Sequence, residues 1–189
     1  MSSINQQEQQ VLLRVARQAI IRGLEKGGEP QGIELDGYSA ALRRPKATFV
    51  TLYLADQLAG CIGTLTATRP LVQDVAYNAW AAANRDSRFE GIKTDDLDSL
   101  NIEIAILSEL EPVSVQSEAQ LKDRLSVNEH GLLLEEGGYR ATFLPKVWRS
   151  LPDKTEFLSQ LKLKAGLPKN YWSDEIRCFL YTTESFSDV

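Results

Sequence analysis

Apolar residues recur at three- and four-residue intervals through Leu12, Val15, Ala16, Ala19, Ile20 and Leu24. That spacing lays one apolar stripe along a helix. Ser3 and Gln6 stand at the spacing of a capping box at its start, and Gly27-Gly28 end it, because glycine accepts the left-handed cap conformation. A polar, glycine-bearing connection runs from Glu29 to about Tyr38. The pattern then changes period. In "ATFVTLYL", Phe49, Thr51 and Tyr53 alternate with Val50, Leu52 and Leu54, and "LAGCIGTL" follows after Ala55-Asp56-Gln57. Both read as strands, and the short polar link predicts an antiparallel hairpin. Both faces are largely apolar, which predicts a hairpin covered on two sides.

Pro70 opens a second helix, whose stripe is Val72, Val75, Ala76, Ala79, Trp80 and Ala83. "NRDSRFEG" ends it. "NIEIAIL" sets Ile102, Ile104 and Ile106 against Asn101, Glu103 and Ala105, the alternation of a half-buried strand. Ser117 and Gln120 predict the cap of a short helix with Leu121 and Leu125 facing inward. "GLLLEE" and "YRATFL" flank Gly137-Gly138, a second hairpin, and Pro145 breaks its second strand. Asp153 and Glu156 cap a helix through Leu158, Leu161 and Ala165 that stops at Gly166 and Pro168, and "EIRCFLYT" is a last strand. Helices mix with mostly antiparallel strands without a βαβ rhythm, so the predicted class is α+β.

Composition narrows the function more by exclusion than by assignment. A chain of 189 residues with 43% hydrophobic and 25% charged side chains builds its core without staples. Two independent domains are not expected. The net charge of −5 offers no general attraction to phosphate backbones or anionic lipid. The densest basic run, Arg43 to Lys46, is far smaller than a nucleic-acid stripe, so a nucleic-acid partner is not expected. No apolar run spans a bilayer, and "MSSINQQEQQ" lacks an apolar signal core, so the expected setting is the cytoplasm. Cys61 and Cys178 fall in separate predicted strands, and both are expected to be free thiols in a reducing compartment.

Cys61 raises the sharpest chemical question. On a regular strand Ala59, Cys61 and Gly63 share one face and Gly60 and Ile62 the other. Tiny side chains beside a thiol serve close packing, with cysteine as a small hydrophobe. That packing reading is the one the residues favour; the sharper alternative is a groove where thiol or backbone meets a ligand. A nucleophilic thiolate needs a base or a positive field. The single histidine, His130, is a candidate for proton transfer or simply closes a turn before Gly131. Arg88, in "DSRF", either forks onto an anionic ligand or ties internally to Asp86. Lys146 follows Pro145 as a cation at a strand end. One histidine and two distant cysteines supply a metal site poorly, and no standard cofactor or nucleotide motif is present. "GGEPQG" follows a helix rather than preceding one, so it lacks the amide end that cradles phosphate. No cofactor is expected.

"LAGCIGTL" resembles the Leu-Arg-Gly-Cys-Ile-Gly-Thr signature of the AMMECR-type domain, the family of protein A in the AmmeMemoRadiSam system. The likeness continues through "DSRF", "LNIEIAILSELEPV", "EHGLLLEEGGYRATFLPKVW", "EFLSQLKLKAGLP" and Trp172. Gly60, Cys61, Ile62, Gly63 and Thr64 match the signature, while Ala59 stands where the family carries arginine. The resemblance implies a single AMMECR-type domain over residues 10–186, an α+β fold with a larger and a smaller lobe, and a cleft near the signature. It also implies radical-SAM and Memo-like partners. The reading favoured by this stage is a binding or accessory protein for those partners. The alternative is an enzyme using Cys61, with His130 assisting, and with Gly60, Ile62, Gly63, Thr64, Arg88 and Lys146 as candidate ligand contacts.

Overall fold

The computed structural model describes residues 4–188, which divide into two compact units. The first comprises residues up to Leu107 together with the chain end from Glu184, and the second runs from Ser108 to Thr183. Both pair helices with an antiparallel sheet, so the α+β class is observed.

In the first unit, helix α1 spans Gln6–Lys26. Its capping box is made by Asn5 and Glu8, two residues along from the expected pair; Ser3 lies outside the described residues. Asn5 Oδ1 accepts from the Glu8 amide at 2.9 Å and Glu8 returns a bond to the Asn5 amide at 3.0 Å, which satisfies two of the helix's free donors. Gly27 ends it with φ 66°. A one-turn helix α2, Ala40–Arg43, follows in the connection and carries no periodic signal long enough to read from sequence. Strands β1, Thr48–Leu54, and β2, Gln57–Gly63, make the predicted hairpin. Ala55 and Asp56 both take positive φ, 48° and 62°, the demand of a two-residue turn that follows the strand twist. Helix α3 is Leu71–Asn84, and all six stripe residues named above are buried. Strand β3 is Leu100–Leu107.

The sheet order is β2-β1-β3-β8, where β8 is Thr183–Ser187 from the chain end. α1 and α3 pack on one face of it, and Leu12, Ile20, Val50, Leu52, Val75, Ala79, Ile102 and Ile104 form the centre of that core.

The second unit has the sheet order β4-β7-β5-β6: Glu111–Val113, Arg177–Tyr181, Gly131–Glu136 and Tyr139–Phe143. Helix α4, Glu118–Arg124, is capped by Ser117, and α5, Lys154–Ala165, by Asp153, as the spacing predicts. The core centres on Trp148 stacked on Phe157, with ring centroids 3.7 Å apart. No helix of the described residues is long and apolar enough to cross a membrane.

Candidate functional site

The hairpin decides which way Cys61 points. Thr51 pairs with Cys61, Leu52 with Gly60, but Tyr53 pairs with Leu58. Ala59 is therefore the extra residue of a β-bulge. The strict alternation expected from the sequence fails there, since a bulge puts two residues opposite one and resets the faces beyond it. Ala59 does not share the Cys61 face; it packs with Ile62 against the core under the helices. It also borders a recess of about 300 Å³ with Leu58, Phe89, Glu90 and Lys93.

The two signature glycines are close-packing positions. A Cβ on Gly60 would run into the Ala82 carbonyl oxygen of α3, well inside 3.0 Å, and one on Gly63 would strike the Phe49 ring. Gly60 thus faces α3, and Cys61, next along the strand, faces the opposite side of the sheet. On that side Cys61 Sγ lies 3.3 Å from Thr51 Oγ1, and Thr51 in turn pairs in register with Glu103 on β3. Tyr53 Oη donates to Glu103 Oε2 at 3.4 Å. Thiol, hydroxyl and carboxylate therefore stand in one row across three strands. Cys61 as a residue is half-buried.

The backbone of Cys61 lies on the free edge of the sheet, because β2 is the edge strand. Its amide donates to Asp86 Oδ2 at 2.8 Å, and its carbonyl accepts from Arg88 Nη2 at 3.1 Å. Arg88 grips the same carboxylate with Nε at 2.8 Å and Nη2 at 2.7 Å. The Asp86–Arg88 pair occupies the place of a neighbouring strand at this one residue. Edge groups left bare invite unwanted pairing, and a charged clamp blocks it. Asp86 is buried, while the Arg88 side chain is 56% exposed. The Arg88 hydrogen bond holds the Asp86 carboxyl below the usual range against its burial, with the Cys61 amide adding to the effect. Conversely, Asp86 holds the guanidinium charged, and a Cys61 thiolate adds a smaller push in the same direction. Arg88 Nη1 has no hydrogen-bond partner among the described residues, so one edge of the fork remains for a ligand.

Thr64, at the end of the signature, belongs to a separate buried network. Asp74 Oδ2 accepts from the Thr48 amide at 3.0 Å, Thr48 Oγ1 at 2.7 Å, Thr64 Oγ1 at 2.8 Å and Asn78 Nδ2 at 3.0 Å. Arg69 Nε is 3.3 Å from Oδ1, an ion-pair distance without hydrogen-bond geometry, so that oxygen is buried and unbonded. Burial pushes the Asp74 carboxyl up, and the Thr48 and Thr64 hydroxyls and Arg69 pull it back in part. Asp74 gave no sequence signal, because a carboxylate in a helix's first turn ordinarily reads as solvated.

The structure brings Cys61 and Arg88 together, with Gly60 and Gly63 packing the strand and Ile62 facing the core. His130 and Lys146 belong to the second unit. His130 Nδ1 accepts from the Ser126 amide at 3.1 Å, and its carbonyl accepts from Trp148 Nε1 at 2.7 Å, so it closes a turn there. Lys146 lies in the 3-10 turn Pro145–Arg149. Cys178 is buried on β7, and burial pushes its thiol up to about 12. A hollow beside α1, about 600 Å³, is lined by Gln18, Arg22, Lys26 and the glycine-bearing loop beyond, and does not touch the Cys61 cluster. Its cations sit at a helix C-terminus, where free carbonyls account for them.

The chain as a whole has relatives over nearly its full length. A protein from Methanothermobacter thermautotrophicus is 31% identical over 194 aligned residues, covering 98% of this chain and 96% of the relative. One from Methanopyrus kandleri is 30% identical, covering 96% and 89%. The crystal structure of an uncharacterized protein from Pyrococcus horikoshii superposes with TM-score 0.86 at 30% identity, over 94% of this chain and 89% of that one. The AMMECR1 family model matches residues 13–186, through both units, the Cys61 strand and the Asp86–Arg88 clamp, and the chain belongs to the AMMECR1 family.

Proposed function

We propose that this AMMECR1-family protein is an enzyme whose nucleophile is Cys61 and whose Arg88 receives a negatively charged group of the substrate. One observation carries the reading: a half-buried cysteine whose backbone carbonyl is held by a guanidinium that Asp86 has already fixed in place, with Nη1 of that guanidinium unbonded among the described residues. Such a cation provides the positive field that thiol chemistry needs. A fork held before the ligand arrives also costs less ordering entropy on binding. In the step, the Cys61 sulfur electron pair adds to a carbonyl carbon, the C=O π pair moves onto the carbonyl oxygen, and the thiol proton passes through solvent to that oxygen. The accessory role beside radical-SAM and Memo-like proteins rests on family resemblance, and the site geometry favours the enzymatic alternative over it.

The test is alkylation of the native protein, followed by mass spectrometry at Cys61 and Cys178. Iodoacetamide is expected to modify native Cys61 faster than the same cysteine in the urea-unfolded chain, while Cys178 stays protected. Iodoacetate is expected to gain further over iodoacetamide in the native protein. A native Cys61 slower than its unfolded counterpart with both reagents rejects the nucleophile. Equal iodoacetate-to-iodoacetamide ratios in native and unfolded chains reject the anion role of Arg88.

A further inference from the structure

We infer that Asp86 is a positioning residue for the Cys61 site, acting through Arg88 and through the strand edge rather than by touching substrate. This rests on the nucleophile reading above. Asp86 closes a ring of contacts. Its Oδ2 takes the Cys61 amide and Arg88 Nη2, its Oδ1 takes Arg88 Nε at 2.8 Å and the Arg88 amide at 3.3 Å, and Arg88 Nη2 returns to the Cys61 carbonyl. The ring fixes both the backbone that carries the sulfur and the guanidinium beside it. An arginine side chain left to itself spreads over many rotamers, and only a fork locked on a carboxylate presents a defined edge. Asp86 gains its own rigidity from burial: its side chain is 4% exposed against 56% for Arg88.

Positioning and plain electrostatics predict opposite signs. Asp86 carries a negative charge at the backbone amide of Cys61, 2.8 Å from its nitrogen. If it acted only as a charge, Asp86→Asn would raise the preference of Cys61 for anionic iodoacetate over neutral iodoacetamide, since a repulsive charge is removed. If it positions Arg88, the same change releases the guanidinium and the preference falls. The decisive readout is the ratio of the two alkylation rates at Cys61, measured on the full chain at low ionic strength, where charge effects are not screened.

A fall in the iodoacetate-to-iodoacetamide ratio of about threefold or more is expected in Asp86→Asn, toward the value of Arg88→Gln. Arg88→Lys keeps the positive charge but loses the fork, and is expected to show the same fall. This variant leaves the buried carboxylate paired with a cation and decides the question if Asp86→Asn does not fold. An unchanged or raised ratio in Asp86→Asn, or a wild-type ratio in Arg88→Lys, overturns the inference. A wild-type protein that shows no native-state advantage over the unfolded chain overturns the nucleophile reading instead, so the two failures are distinct.

Discussion

Gly60→Ala isolates the cost of the small residues around Cys61. Gly60 does not take a positive φ, so alanine is compatible with its backbone, and strand propensity favours the change slightly. The penalty is wholly steric. The new Cβ meets the Ala82 carbonyl oxygen well inside 3.0 Å and the Ala82 carbonyl carbon at 3.1 Å. Both are main-chain atoms of α3, so no side-chain rotation relieves the clash. The hairpin and helix must separate by on the order of 1 Å, against a core that is already close-packed. Overpacking of this kind costs about 1–3 kcal/mol, and a backbone obstacle places Gly60→Ala near the upper end. For a chain of this size that is about 6–12 °C in Tm. The reference is Gly138→Ala: its φ is also not positive and nothing lies within 4 Å of its Cβ, so it is expected to be neutral or slightly stabilising. Urea unfolding and thermal melts of both variants beside the wild type provide the comparison. If Gly60→Ala matches Gly138→Ala within about 0.5 kcal/mol, the contact with α3 is not what demands glycine, and the packing account is refuted.

Asp74→Ala is expected to cost about 3 kcal/mol in urea unfolding, because the Thr48 amide, two hydroxyls and the Asn78 amide lose a shared buried acceptor. Equality with wild type would show that water satisfies them instead. Its pH dependence has a defined sign: the folded carboxyl is raised above 3.8, so the folded state holds the proton longer than the unfolded chain does. Its contribution is fully present below about pH 3.8 and lost as pH rises through the folded value, so wild type should lose ground to Asp74→Asn over that rise. In the second unit, Lys162 is buried with Nζ 2.6 Å from Glu118, which also pairs with Lys122 at 3.2 Å. Glu118→Ala strands a buried ammonium and is expected to cost about 3–5 kcal/mol, whereas Lys162→Met leaves Glu118 with Lys122 and costs much less. Equal losses in the two variants would contradict this asymmetry.

The sequence by itself determined the elements whose signals are local. Periodicity marked α1 and α3, turn glycines marked the β5–β6 hairpin, and Ser117, Asp153 and Gly166 marked helix ends, because propensity and capping act within one turn of chain. It also singled out Cys61 and Arg88. It was misleading about Ala59, since a bulge is set by pairing with β1 and not by alternation in β2. It left β4 and α2 unread, being too short to show a period, and β8, whose Thr183–Ser187 run carries a single apolar residue, Phe186. Only the tertiary structure decided that the chain end returns to the first sheet, that Asp74 is buried among threonines, and that Asp86 and Arg88 clamp the strand edge at Cys61. Each of these depends on which residue an element meets across a long stretch of chain, and a thiol's chemistry is set by those neighbours rather than by the residues beside it in sequence.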